Sequence, residues 1–138
     1  RVFLEARQRI TLFRETLPVL ERLARERVVG TFTNGNADAR RLPFAHLLGF
    51  ALSAETAGAA KPDPRAYQAA LAAARAEARE VLWVGDDPER DVRGARAAGL
   101  HAVWFNPKGQ PWEGDGEPPH QVTSLGELPA LLARRGAP

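Results

Sequence analysis

The sequence predicts an α/β fold built on a parallel sheet, and two observations carry that prediction. Short apolar runs containing valine alternate with longer segments of helical periodicity, the pattern of chained strand and helix units with right-handed crossovers. Two of those runs end in small polar or acidic turns: Val28-Val29-Gly30-Thr31-Phe32 leads to Thr33-Asn34-Gly35, and Val81-Leu82-Trp83-Val84 leads to Gly85-Asp86-Asp87. Ligands of open α/β sheets bind just beyond the carboxyl ends of the strands, so these turns are candidate site residues.

Residues 2–9 read as the end of a helix, with Val2, Phe3, Ala6 and Ile10 at helical spacing. Residues 17–27 place Leu17, Leu20, Leu23 and Ala24 on one face, an amphipathic helix feeding a strand at 28–33. Residues 38–48 predict a short helix and 50–53 a short strand. Asp63 as N-cap and Pro64 at the first helical position start a helix over 64–79. A buried strand follows at 81–84, then a helix over 91–98, where Asp91 suits the positive end of the helix dipole and Gly99 the stop. Residues 101–105 form another strand. Residues 106–119, where Pro and Gly cluster around Trp112, form a loop. A last short strand at 121–123 precedes a helix through 135, opened by a Ser124 and Glu127 capping box.

With 138 residues and 44% hydrophobic content the chain suits one domain with a packed core. No apolar run approaches the ~20 residues that cross a bilayer, so no membrane association is expected and a cytoplasmic location is compatible. The absence of cysteine removes disulfide, zinc-finger and thiolate-nucleophile chemistry. A net charge of +2 is only weakly basic, and its arginines alternate with glutamates as on solvated helix faces. No basic patch interleaved with aromatics is visible, so nucleic acid is not an expected partner. Trp83, Trp104 and Tyr67 read as packed residues, and His46, His101 and His120 have no partners at metal-ligand spacing. Oligomeric state is not written in the sequence.

Three segments carry chemistry. Gly85 lets the chain turn so that Asp86 projects from the sheet edge, where a carboxylate suits a hard cation; the same acids also suit a plain turn with Asp91 capping the next helix. Thr33, Asn34 and Gly35 supply short donors for an oxyanion, or an ordinary Asn-Gly turn. Lys61, one of two lysines beside seventeen arginines, stands before Pro62-Asp63-Pro64 and offers a compact ammonium.

In order and spacing these segments resemble the haloacid dehalogenase superfamily: Thr33-Asn34 its second motif, Lys61 with Pro62-Asp63-Pro64 its third, and Gly85-Asp86-Asp87 with Asp91 its fourth. The resemblance covers roughly residues 10–107. It implies a three-layer, Rossmann-like parallel sheet. Its acidic fourth motif points to the Mg2+-dependent phosphatases, since the dehalogenases proper need no Mg2+ and lack the Gly-Asp acid cluster. Thr33, Asn34 and Gly35 would then hold phosphate oxygens of a small phosphorylated metabolite. Lys61 would neutralise charge at phosphate and nucleophile, and Asp86 would bind Mg2+. Asp87 would face either metal or solvent, and Asp91 would orient Lys61 or a metal-bound water rather than bind directly.

The family's first motif, an Asp-x-Asp bearing the nucleophile, occurs nowhere in the 138 residues, and the chain contains no methionine. The expectation is an N-terminally truncated enzyme, inert as it stands. Residues 1–10 would be the end of a helical cap and 11–138 an incomplete core lacking its first central strand, with the strands ending at Thr33 and Val84 left with uncovered edges. Two rivals are a receiver-like signalling domain, which places its acid pair on the first strand and its lysine last, and a non-catalytic phosphate-binding module.

Overall fold

The computed structural model describes residues 2–5, 13–34 and 45–134. Within them six strands form one sheet: β1 Val2–Glu5, β2 Val29–Thr33, β3 Phe50–Ser53, β4 Leu82–Gly85, β5 His101–Phe105 and β6 His120–Val122. Their order is β3-β2-β1-β4-β5-β6, and every adjacent pair is parallel. The helices are α1 Phe13–Glu26, α2 Ala54–Ala57, α3 Pro64–Ala74, α4 Gly94–Ala97 and α5 Leu128–Arg134.

Alternation along the central strands sorts side chains into two cores. Leu82 and Val84 of β4, with Val103 and Phe105 of β5, pack against Leu20 and Leu23 of α1 and Leu128, Leu131 and Leu132 of α5. Trp83, Ala102 and Trp104 point the other way, against Ala66, Tyr67 and Ala70 of α3 and Val92 and Ala95 of the helix after β4. Because successive strand residues face opposite sides and both faces are buried, these strands read as continuous apolar runs. The result is the expected three-layer α/β sandwich.

The centre of the sheet differs from expectation. Val2–Glu5 is a strand, not a helix end, and it lies between β2 and β4, with Leu4 opposite Thr31 and Val84. The position expected to be empty is therefore filled by the chain itself. Three consecutive apolar residues fit a strand as well as a helix turn, and two unpaired parallel edges favour the extended form by supplying ladder partners on both sides. Residues 6–12, which include the expected cap boundary, lie outside the described residues.

Three helix boundaries also move. α1 begins four residues earlier than its leucine stripe indicated. α3 stops at Ala74 instead of 79, because Arg75 adopts a left-handed conformation (φ 53°) and a 3-10 turn, Ala78–Glu80, follows. The helix expected from Asp91 starts at Pro88 with a π-helical turn, Pro88–Arg93, that continues into α4. Of residues 38–48, the described part holds a 3-10 turn, Ala45–Leu47. The Asp63 cap, the stop at Gly99 (φ 86°) and the Ser124–Glu127 capping box stand as expected.

Candidate active site

The chain path brings the expected site residues to one edge. β1, β2 and β3 run outward on one side, and α3 then carries the chain across to β4 on the other, so the sheet has its switch point beside β1, where ligands of such sheets bind. Thr33 closes β2 and Gly85 closes β4, both at the carboxyl edge.

Lys61 is held at both ends. Its backbone N–H donates to Asn34 Oδ1 (2.8 Å), while Asn34 Nδ2 donates to the Lys61 carbonyl (2.9 Å). This reciprocal pair ties the end of β2 to the lead-in of α3. At the other end Nζ donates to Asp91 Oδ1 at 2.7 Å, with both side chains 1% exposed or less. The Phe32 and Trp83 rings lie 5.9 and 5.8 Å from the ammonium. A buried ion pair survives only when further hydrogen bonds satisfy it, and Asp91 meets that condition. Its Oδ1 also accepts from the Trp83 indole N–H (3.1 Å), and its Oδ2 from the Asp87 amide (3.1 Å). Gly85 makes this possible, since a side chain there would overlap the Asp91 carboxylate.

The acids of the turn therefore divide. Asp91 faces Lys61 inside the core. Asp87 is the N-cap of the π-helical turn, its Oδ1 accepting from the amides of Glu89 (2.9 Å) and Arg90 (3.0 Å). Asp86 is half-buried at the mouth, with its carbonyl accepting from the Trp104 indole N–H at 3.0 Å. Thr33 is buried and Asn34 half-buried, and Gly35 lies outside the described residues. Among the described residues no three His, Cys, Asp or Glu side chains gather into a metal cage. Such a donor set fits Mg2+ only in its usual manner, with one or two carboxylates, waters and phosphate oxygens.

Sequence reasoning missed the tryptophans. Trp83 and Trp104 are core residues as expected, yet each spends its N–H on the acidic turn. A buried indole needs an acceptor, and two tryptophans on strands flanking an acid-rich turn are a readable signal of where it lies. Tyr67, packed edge-on to Trp83 with centroids 5.0 Å apart, likewise donates to the Arg90 carbonyl in the π-helical turn.

With this geometry, the likeness to known proteins is specific. The family model for haloacid dehalogenase-like hydrolases matches residues 1–99. The chain is 35% identical over 132 residues to phosphoserine phosphatase of Thermus thermophilus, covering 91% of this chain and 53% of that protein. It is 31% identical to the 5-amino-6-(5-phospho-D-ribitylamino)uracil phosphatase YigB of Escherichia coli, covering 94% and 56%. A 2-haloacid dehalogenase from Pseudomonas syringae superposes with a TM-score of 0.85 at 45% identity, covering 89% and 54%. The chain thus spans about half the length of the relatives it matches. Phosphatases and a dehalogenase both stand among the proteins it resembles, and with the family model matching residues 1–99 the chain belongs to the haloacid dehalogenase-like hydrolases.

Proposed function

We propose that the chain is the phosphate- and cation-binding half of a phosphate monoester hydrolase whose nucleophilic aspartate is supplied by sequence upstream of Arg1. The observation that supports this most directly is the buried ammonium of Lys61, fixed at the carboxyl edge between Thr33-Asn34 and the Asp86 turn. A charge held without freedom to reorganise stabilises anionic transition states best, and phosphoryl transfer depends mostly on such positioning.

In this reading the Thr33 hydroxyl and the amides after it receive phosphate oxygens, with Asn34 contributing its backbone because its side chain is spent on Lys61. Lys61 neutralises charge between phosphate and nucleophile. Asp91 keeps the Lys61 side chain aimed. Asp86 takes the cation, since Asp87 is committed to its cap and Asp91 to Lys61. Bound Mg2+ would polarise the phosphoryl group and neutralise developing charge there. The substrate is a small phosphorylated metabolite, in line with the phosphatases among the relatives.

The test is expression from the complete coding sequence, with p-nitrophenyl phosphate assayed in Mg2+ and in chelator, beside chloride release from 2-chloropropionate. Mg2+-dependent phosphate release is expected. Asp86→Asn should weaken the metal dependence, Lys61→Ala should lower turnover by about 10², and the 138-residue chain alone should be inert. Halide release untouched by chelator would instead favour the dehalogenase reading, which the 45% identical structure makes the specific rival.

A further inference from the structure

The peptide joining Asp86 to Asp87 is clamped from both sides. Its carbonyl oxygen, on Asp86, accepts from the Trp104 indole N–H (3.0 Å), and its N–H, on Asp87, donates to Asp91 Oδ2 (3.1 Å). A planar peptide held at both its oxygen and its hydrogen has little freedom left, and its plane fixes the dihedral angle that sets where the Asp86 side chain leaves the chain. Trp104 itself is anchored in β5, one strand away from the turn.

The clamp extends into the loop after β5. Trp112 lies edge-on to Trp104, with centroids 5.4 Å apart and planes at 68°. Gly114 closes against the Trp112 ring, where any side chain would collide with it. The base of the loop is tied by Asn106, whose Nδ2 donates to the Gln110 carbonyl and to Gln121 Oε1 (both 2.8 Å) and whose Oδ1 accepts from the Gln110 amide (3.0 Å). The Trp112 indole nitrogen is buried and makes no hydrogen bond among the described residues. What this residue contributes is therefore the fit of its ring against Trp104.

We propose that Trp104, braced by Trp112, is a positioning residue for Asp86, and that loop 106–119 thereby tunes cation binding at the carboxyl edge. This rests on the reading of Asp86 as the Mg2+ ligand. Partners that orient a metal-binding carboxylate typically change metal affinity 10- to 100-fold when removed, and the indole N–H holds a carbonyl oxygen two bonds from the Cα that carries the Asp86 side chain.

The experiment is calorimetric titration of the protein from its complete coding sequence with MgCl2. Trp104→Phe keeps an aromatic ring, though a smaller one, and deletes the donor, and its Mg2+ dissociation constant is expected to rise about tenfold, with binding of inorganic phosphate in the absence of metal little changed. Trp112→Ala, which removes the brace and leaves the donor, is expected to shift Mg2+ binding in the same direction by less. An unchanged constant in Trp104→Phe overturns the proposal, even if its melting temperature falls, because a purely structural tryptophan would show that split. Should Trp104→Phe fail to fold, an unchanged constant in Trp112→Ala overturns it equally. Wild-type protein that binds no Mg2+ would sink the metal role of Asp86 and this inference with it, whereas tight wild-type binding that ignores both tryptophans sinks the inference alone.

Discussion

Lys61 and Asp91 pose the sharpest question at the scale of single residues, because a charge pair in the core is a poor way to gain stability. Each ion sacrifices its hydration, and the pair repays this only through the indole and amide donors gathered on Asp91. Removing one partner is then worse than removing both. Lys61→Met should destabilise the protein by about 3–5 kcal/mol, leaving a buried carboxylate unpaired. Lys61→Met combined with Asp91→Asn should recover part of that loss in chemical denaturation. Equal stability of the single and double variants would mean that the carboxylate finds other compensation. The pair was legible from sequence only by family resemblance, since thirty residues separate its members and no local pattern joins them.

At the scale of elements, α3 and the helix after β4 set how closely the carboxyl edge is drawn together. Asp63 caps α3 by accepting from the Arg65 amide at 2.9 Å, and the Arg65 side chain, followed by its amide, holds the Asp63 carboxyl below its usual 3.8. A carboxyl lowered on folding contributes stability that is complete above its unfolded value and lost as pH falls through the folded one. Asp63→Asn keeps a capping oxygen but loses the charge. Its melting temperature should therefore lie below wild type at pH 7, with the gap narrowing toward pH 3. A gap independent of pH would remove the charge from the account. Gly94 plays a different part, giving room to the Tyr67 hydroxyl on its way to the Arg90 carbonyl. Gly94→Ala should push Tyr67 aside and lower the melting temperature by several degrees, and Gly94→Ala in a Tyr67→Phe background should cost less.

What the sequence showed of these elements follows their physics. β5 was legible to the residue and β2 and β4 to within one, because buried parallel strands are short apolar runs bounded by polar turns. The caps at Asp63 and Ser124 were legible because a cap is a local hydrogen bond with a fixed spacing. The end of α3 was not, since Arg75 takes a left-handed backbone with no glycine to announce it. Nor was the π-helical turn, which has Asp87 as its cap and a hydroxyl donor to its Arg90 carbonyl from Tyr67, twenty-three residues before Arg90. β1 was misread because four residues carry too little periodicity to separate strand from helix. Its state is decided by neighbours far along the chain.

At the scale of the whole molecule, β1 bonds to β2 on one side and β4 on the other, so both halves of the sheet are joined through Val2–Glu5. The proposed nucleophile strand needs that same position, and a sheet holds one strand per place. In protein from the complete coding sequence, amide exchange in residues 2–5 should accelerate relative to the 138-residue chain while β2 and β4 stay protected. Equal protection of 2–5 in both would place the upstream strand elsewhere and count against the nucleophile it is proposed to carry. A backbone ladder reads direction and length but not side chains. On the proposed reading, the sheet would assemble around a filler strand and acquire its reaction only when a strand bearing the right carboxylates takes over. Folding and chemical competence would then be separable attainments, and a melting curve would report only the first.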